Sequence, residues 1–460
     1  MQQLGSTIAA NRFGLGARPG ELAAIGDGRG WLEAQLTRAP PPMIVDAQLR
    51  SSSELLGEAF ALQRQIQAEK RAGADVQQKL PQFLKPIYTA EASARFQQAV
   101  STGSPFIERL TQFWSNHFAV SIDKQYLAGL AGAFEREAIR PYVLGNFGDM
   151  LVAAEMHPAM LLYLDNHLSV GPHSPVALRA NLRQRGGRRI GINENLGREI
   201  LELHTLGVGG GYTQADVTAF ATVITGWSVG GGSGLFASGP PGRFVFRPGT
   251  HEPGTRTVLG RQYRDNGYEQ GVAVLNDLAQ HPATARHIAT KLARHFVADD
   301  PPPALIERLA ATFTEHGGHL PAVYRALIAS PEAWEQPLAK YKTPSDFIVS
   351  SYRGLALPIE AGKGPLAPFE VLGQRTWQPG SPAGWPDRSA DWDGASALLK
   401  RLEWADAVGG RLGSRRNAAE LAPQLLGATL SDATGTAIAR AASGGQAVTL
   451  LLASPEFMHR

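Results

Sequence analysis

Residues 193–227 read NENLGREILELHTLGVGGGYTQADVTAFATVITGW, and their periodicity decides the fold class. At about 100° per residue, Leu196, Ile200 and Leu203 stay within about 40° of one another and form a buried helical stripe. Glu199 and His204 fall on opposite shoulders of that stripe, about 140° apart. Asn195, Glu199 and Glu202 make an acidic row, and Arg198 reaches Glu202 at i,i+4. The glycines from Gly207 to Gly211 should end the helix, because they supply left-handed C-cap and turn conformations. Thr213 and Asp216 then cap a second helix whose Val217, Phe220, Ala221 and Ile224 face inward. A helix pair of this kind implies a mainly α fold.

Working outward, the same period recurs. Between Pro105 and His117, the residues Phe106, Leu110, Phe113, Trp114 and His117 share one apolar face, so a buried His117 must satisfy both ring nitrogens. Residues 126–168 continue as helices, with Asp165 and Asn166 emerging at a helix end. From His281 to Val297, Ala285, Ile288, Leu292 and Phe296 line a buried side, while His287, Lys291, Arg294 and His295 form a basic stripe. One hairpin is expected, with strands at 244–246 and 256–259 joined by a turn that carries His251. Three Gly/Pro-rich loops are expected, at 169–191, 228–243 and 372–395. The last contains QRTWQPGSPAGWPDR, in which prolines stiffen a segment bearing Trp377, Gln378, Trp385 and Asp387. The whole chain, 1–460, reads as a single multi-helical unit with a small β-hairpin and long loops.

Composition narrows the functional classes. A chain of 460 residues with 43% hydrophobic content can bury a large core. Lys plus Arg number 44 against 41 Asp plus Glu, and this near balance argues against a nucleic-acid partner. There is no cysteine, which excludes disulfides, thiolate zinc sites and cysteine nucleophiles. No run approaches the roughly 18 apolar residues of a membrane span. The first residues show no signal-peptide pattern, which leaves location open between the cytoplasm and export, with a partner or as a processed form. A G-x-S-x-G elbow and a P-loop are absent.

Several motifs occur in a fixed order: AANRFGLGARPGE, FWSNHFAVS, HPAMLLYLDN, the Asn193–Trp227 stretch, THEPGTRTVLG, HPATARHIATKLARHFV and LGQRTWQPGSPAGWPD. Together they resemble the bacterial family known as domain of unknown function 1800 across almost the whole chain. The resemblance implies a protein partner as well. Proteins similar to this one are commonly encoded beside members of domain of unknown function 1501, which resemble sulfatases and phosphatases.

Three functions compete. The first is a hydrolase or lyase acting on a carbohydrate or related envelope polymer by carboxylate acid–base chemistry. Its leading acid or base is Glu199, with Glu194 or Asp165 as the second carboxylate and His251 beside them. His117, Asn116, Arg198, Lys291, Trp227, Trp377 and Trp385 would bind the substrate, with Arg198 or Lys291 stabilising negative charge. The second is a divalent-metal enzyme using His117, His251 and Glu199 as ligands. The third is a non-catalytic assembly partner of a sulfatase-like protein. The enzyme readings require these residues to converge on one cleft.

Overall fold

A computed structural model describes residues 2–37, 40–73, 79–183, 191–233, 237–335, 338–359 and 366–460. Among them are 23 α-helices and four strands of three residues each, so the fold is mainly α. None of the described helices is long and apolar enough to cross a membrane.

Apolar periodicity and local capping set the helices. The Pro105–His117 helix starts with proline at its first position, where the missing N–H costs nothing. Phe106, Leu110, Phe113, Trp114 and His117 are all buried as their spacing predicts. Burial extends beyond that face to Glu108 and Arg109, which are ion-paired to Arg140 and Asp346. On the Gln214–Val223 helix, Thr213 and Asp216 form the expected capping box, with Val217, Phe220, Ala221 and Ile224 inside. His281 caps the Pro282–Phe296 helix by accepting from the Ala283 N–H.

Two large hydrophobic cores result, with two small satellite clusters beside them among the described residues. The larger is built on Pro105–His117, the helices between 127 and 163, the 195–224 pair and the helices from Tyr268 to Ala329. The smaller gathers Pro344–Gly354, Ala395–Leu412, Ala418–Leu426 and Gly444–Ala453. The Leu80–Ser101 helix belongs to both, giving Ala92 to the first and Phe96, Ala99 and Val100 to the second. A cleft opens along the seam.

Three local expectations are corrected. The helix after Asn195 is α-helical only to Glu199 and winds as a π-helix from Ile200 to His204. A π turn advances each residue through a smaller angle than an α turn. Leu203 is therefore left half-buried, while His204 turns fully inside. The strand Phe244–Phe246 pairs antiparallel with Trp227–Val229, not with the 256–259 segment. Arg256–Val258 instead folds onto Arg261–Tyr263, through Leu259 (φ 49°) and Gly260 (φ 77°), the two positive φ values that a tight hairpin turn needs. Residues expected as loop at 175–183 form the Pro175–Arg183 helix, and 184–190 lie outside the described residues.

Candidate functional site

The seam cleft has a volume of about 330 Å³. Its walls come from the end of the Pro105–His117 helix, the last turns of Pro282–Phe296, the start of Pro344–Gly354 and the loop 374–391. That loop is fastened at many points. Asn116 grips the Trp385 backbone from both sides, accepting its N–H at 2.7 Å and donating to its carbonyl at 2.9 Å. Gly384 is required there, since it has φ 82° and a Cβ would lie 2.3 Å from the Asn116 carbonyl oxygen. Further along, Ile122 N–H donates to the Trp377 carbonyl, and the indole N–H of Trp377 donates to Glu135. Lys340 holds both the Asp387 carbonyl and the Asp299 carboxylate.

The electrostatics of the cleft follow from its ion pairs. Arg95 is paired with Glu135, Arg109 with Asp346, Arg375 with Glu370 and Arg388 with Asp300. Asp346 also takes Arg460 at 3.1 Å, and these cations overcome burial to hold its carboxyl well below the usual range. Burial would raise Asp387 as well, but His295, Lys340 and Arg460 outweigh it and hold it at about 2. His295 donates from Nδ1 to both Asp387 oxygens, at 3.0 and 3.2 Å.

Lys291 and Arg294 differ from the other cations that line the cleft. Neither has a carboxylate partner among the described residues: Arg294 donates to the Asp299 carbonyl at 3.1 Å, and Lys291 Nζ lies 2.9 Å from Nδ1 of His117. The second contact fixes a tautomer. Nε2 of His117 is 3.1 Å from the His204 carbonyl, which can only accept, so Nε2 carries the proton and Nδ1 is left as an acceptor for the lysine. Burial, reinforced by Lys291, keeps His117 neutral well below its ordinary range. Burial also pulls the Lys291 ammonium down to about 8, with Arg294 adding to the effect and Asp387 opposing it. The π turn supplies the anchoring acceptors, since the Leu203 carbonyl receives Nε2 of His287 at 3.0 Å and the His204 carbonyl receives that of His117.

Of the residues expected to bind substrate, His117, Asn116, Lys291, Trp377 and Trp385 all line this cleft. The others are elsewhere. Trp227 is fully buried, packed between Phe244 and Gly271, and cannot meet a ligand. Arg198 is tied to Glu194 and Gln214 at the molecular surface. Glu194 accepts from Thr218, Gln214 and Arg198; the Thr218 bond leads these contacts in lowering its pKa, which suits a structural anchor. Asp165 pairs with Lys124 at 2.6 Å in a left-handed turn. Glu199 is half-buried, and burial raises its pKa against the pull of His204, but it does not line the cleft. His251 is folded inward, with Nδ1 donating to the Thr225 carbonyl at 2.8 Å and Nε2 3.5 Å from Asp265. Among the described residues no three His, Asp or Glu side chains are grouped to hold a metal ion, so His117, His251 and Glu199 do not form the expected centre.

The Asp387–His295 pairing and the Arg109–Asp346–Arg460 cluster are not legible in the sequence. His295 and Arg294 were visible in the basic stripe, but nothing local joins either to a loop some 90 residues away.

The family described as "Protein of unknown function (DUF1800)" matches residues 8–459. The chain belongs to the DUF1800 family. This membership covers both cores and every wall of the cleft in this DUF1800 protein. No curated protein and no solved structure matches the chain.

Proposed function

We propose that the cleft takes a segment of an acidic carbohydrate or related anionic polymer, and that Lys291, oriented by His117, transfers the proton in a hydrolase or lyase reaction. The observation that carries this reading is the pair of cleft cations, Lys291 and Arg294, that pair with no carboxylate among the described residues. Two partly desolvated cations one helical turn apart, neither in direct contact with a carboxylate among the described residues, favour an anionic ligand.

Chemistry within the cleft favours an amine base over two carboxylates. A carboxyl acting as general acid needs a raised pKa, whereas Asp346 and Asp387 are held ionised by their cations. Lys291, brought to about 8, has an appreciable neutral fraction near pH 7 and can act as a general base. Removal of a proton next to a substrate carboxylate would develop negative charge that Arg294 can stabilise. Elimination from a uronate-type sugar is therefore the leading reaction, with the half-buried Trp385 face available to a sugar ring.

Titration calorimetry with oligogalacturonate and with a neutral oligosaccharide of equal length tests this. The acidic ligand is expected to bind, more weakly as salt rises, and to gain ultraviolet absorbance from a new C=C bond on turnover. Equal binding of the neutral ligand, or acidic binding insensitive to salt, would overturn the proposal.

A further inference from the structure

We infer that the Lys291 amine is also a nucleophile, and that the cleft condenses it with the carbonyl group of an anionic aldehyde or keto compound to form an imine. This rests on the reading of the cleft as an anion site and adds the class of functional group it accepts.

The geometry begins with His117. Because its Nε2–H is committed to the His204 carbonyl, Nδ1 can only accept, and it holds one N–H of Lys291 at 2.9 Å. A neutral amine held by an N–H keeps its lone pair free for another direction. Lys291 lines the cleft and has no second hydrogen-bond partner among the described residues. Arg294, one helical turn further along, can hold the ligand's anionic group beside it. The enclosing walls, His117 and Phe113 among them, limit water near the amine. Burial has already brought the ammonium down to about 8, so the reactive form is present near neutral pH.

The step balances without a further reagent. Nζ attacks the carbonyl carbon, forming the N–C bond as the C=O π pair moves to oxygen. A proton passes from nitrogen to that oxygen, giving a carbinolamine. Loss of the hydroxyl with a second proton, as water, leaves the C=N bond. The net change is amine plus carbonyl to imine plus water, with nothing oxidised.

Pyridoxal 5′-phosphate serves as the probe because it combines an aldehyde with an anionic group. The full-length protein is incubated with the probe at pH 7.5, reduced with borohydride and mapped by peptide mass spectrometry. Lys291 is expected to be labelled at least about tenfold faster than the exposed Lys85 and Lys400. Excess oligogalacturonate should suppress that labelling, and K291R should abolish it while the protein stays folded by circular dichroism. If Lys291 reacts no faster than Lys85 while calorimetry still records oligogalacturonate binding, imine formation is overturned and the anion cleft stands. If neither labelling nor binding is found, both are overturned.

Discussion

Lys291 and Lys342 are both withdrawn from water, and burial shifts both in the same direction, Lys291 to about 8 and Lys342 to about 7. They differ in what their Nζ atoms face. Lys291 borders a cleft of about 330 Å³. Lys342 is 3% exposed, donates to the Ser350 hydroxyl at 3.0 Å and sits 4.0 Å above the Phe457 ring, beside a gap of only about 10 Å³. A perturbed pKa records desolvation in both places, but only an open path to a ligand turns it into chemistry. Lys342 is a cation sealed into the smaller core; Lys291 is one the fold leaves accessible.

The largest expected effect separates the two directly. K291M should weaken oligogalacturonate binding at least about 100-fold, roughly 2.7 kcal/mol, while K342M should leave it within about twofold; calorimetry on the pair decides. A K342M loss as large as that of K291M would erase the distinction.

Stability against pH comes next. The folded pKa of Lys342, about 7, lies below the ordinary lysine value of about 10.5. Between those values the unfolded chain binds more protons, so stability rises with pH through that window, and below it the folded state carries the whole cost of burying the ammonium. The contacts to Phe457 and Ser350 recover part of that cost. K342M should therefore be more stable than wild type at pH 6 by about 2 kcal/mol, the gap closing as pH approaches 10.5. Urea unfolding at pH 6 and pH 9.5 measures it, and a gap that widens with pH would refute the assignment.

A smaller effect concerns the loop that roofs the accessible lysine. N116A removes both grips on Trp385, so iodide should quench tryptophan fluorescence more strongly and ligand affinity should fall about tenfold, near 1.4 kcal/mol. Unchanged quenching would mean that the remaining fastenings suffice. Smallest of all, E199Q should alter cleft binding less than about twofold, since Glu199 lies outside the cleft. A loss as large as that of K291M would move the working site away from the seam.

Much of this site could be read from helical period alone. The apolar face of Pro105–His117 and the basic stripe of Pro282–Phe296 placed His117 and Lys291 correctly on their own helices. The proline-stiffened loop flagged Trp377 and Trp385. Pairings were not legible, because Asn116 meets Trp385 across 269 positions and His295 meets Asp387 across 92. No local spacing encodes a contact made by chain closure. Glu199 stands on the shoulder of the apolar stripe and is half-buried with a raised pKa, yet helical period alone does not tell which cavity a half-buried carboxylate faces. The π turn defeated the uniform 100° step, exchanging Leu203 for His204 inside. Three-residue strands are too short for alternation to choose a partner, which is why the expected hairpin joined the wrong pair.

The π turn has a genetic consequence as well. Widening of this kind is a single-turn irregularity within an otherwise ordinary helix. Deleting one residue between Ile200 and His204 would let the backbone return to α winding and withdraw the carbonyls that hold His117 and His287. His117 would then be free to move its proton to Nδ1 and present an N–H to the ammonium it now accepts from. A one-codon deletion on a neighbouring helix would thus disable the amine of Lys291 with every side chain lining the cleft still in place.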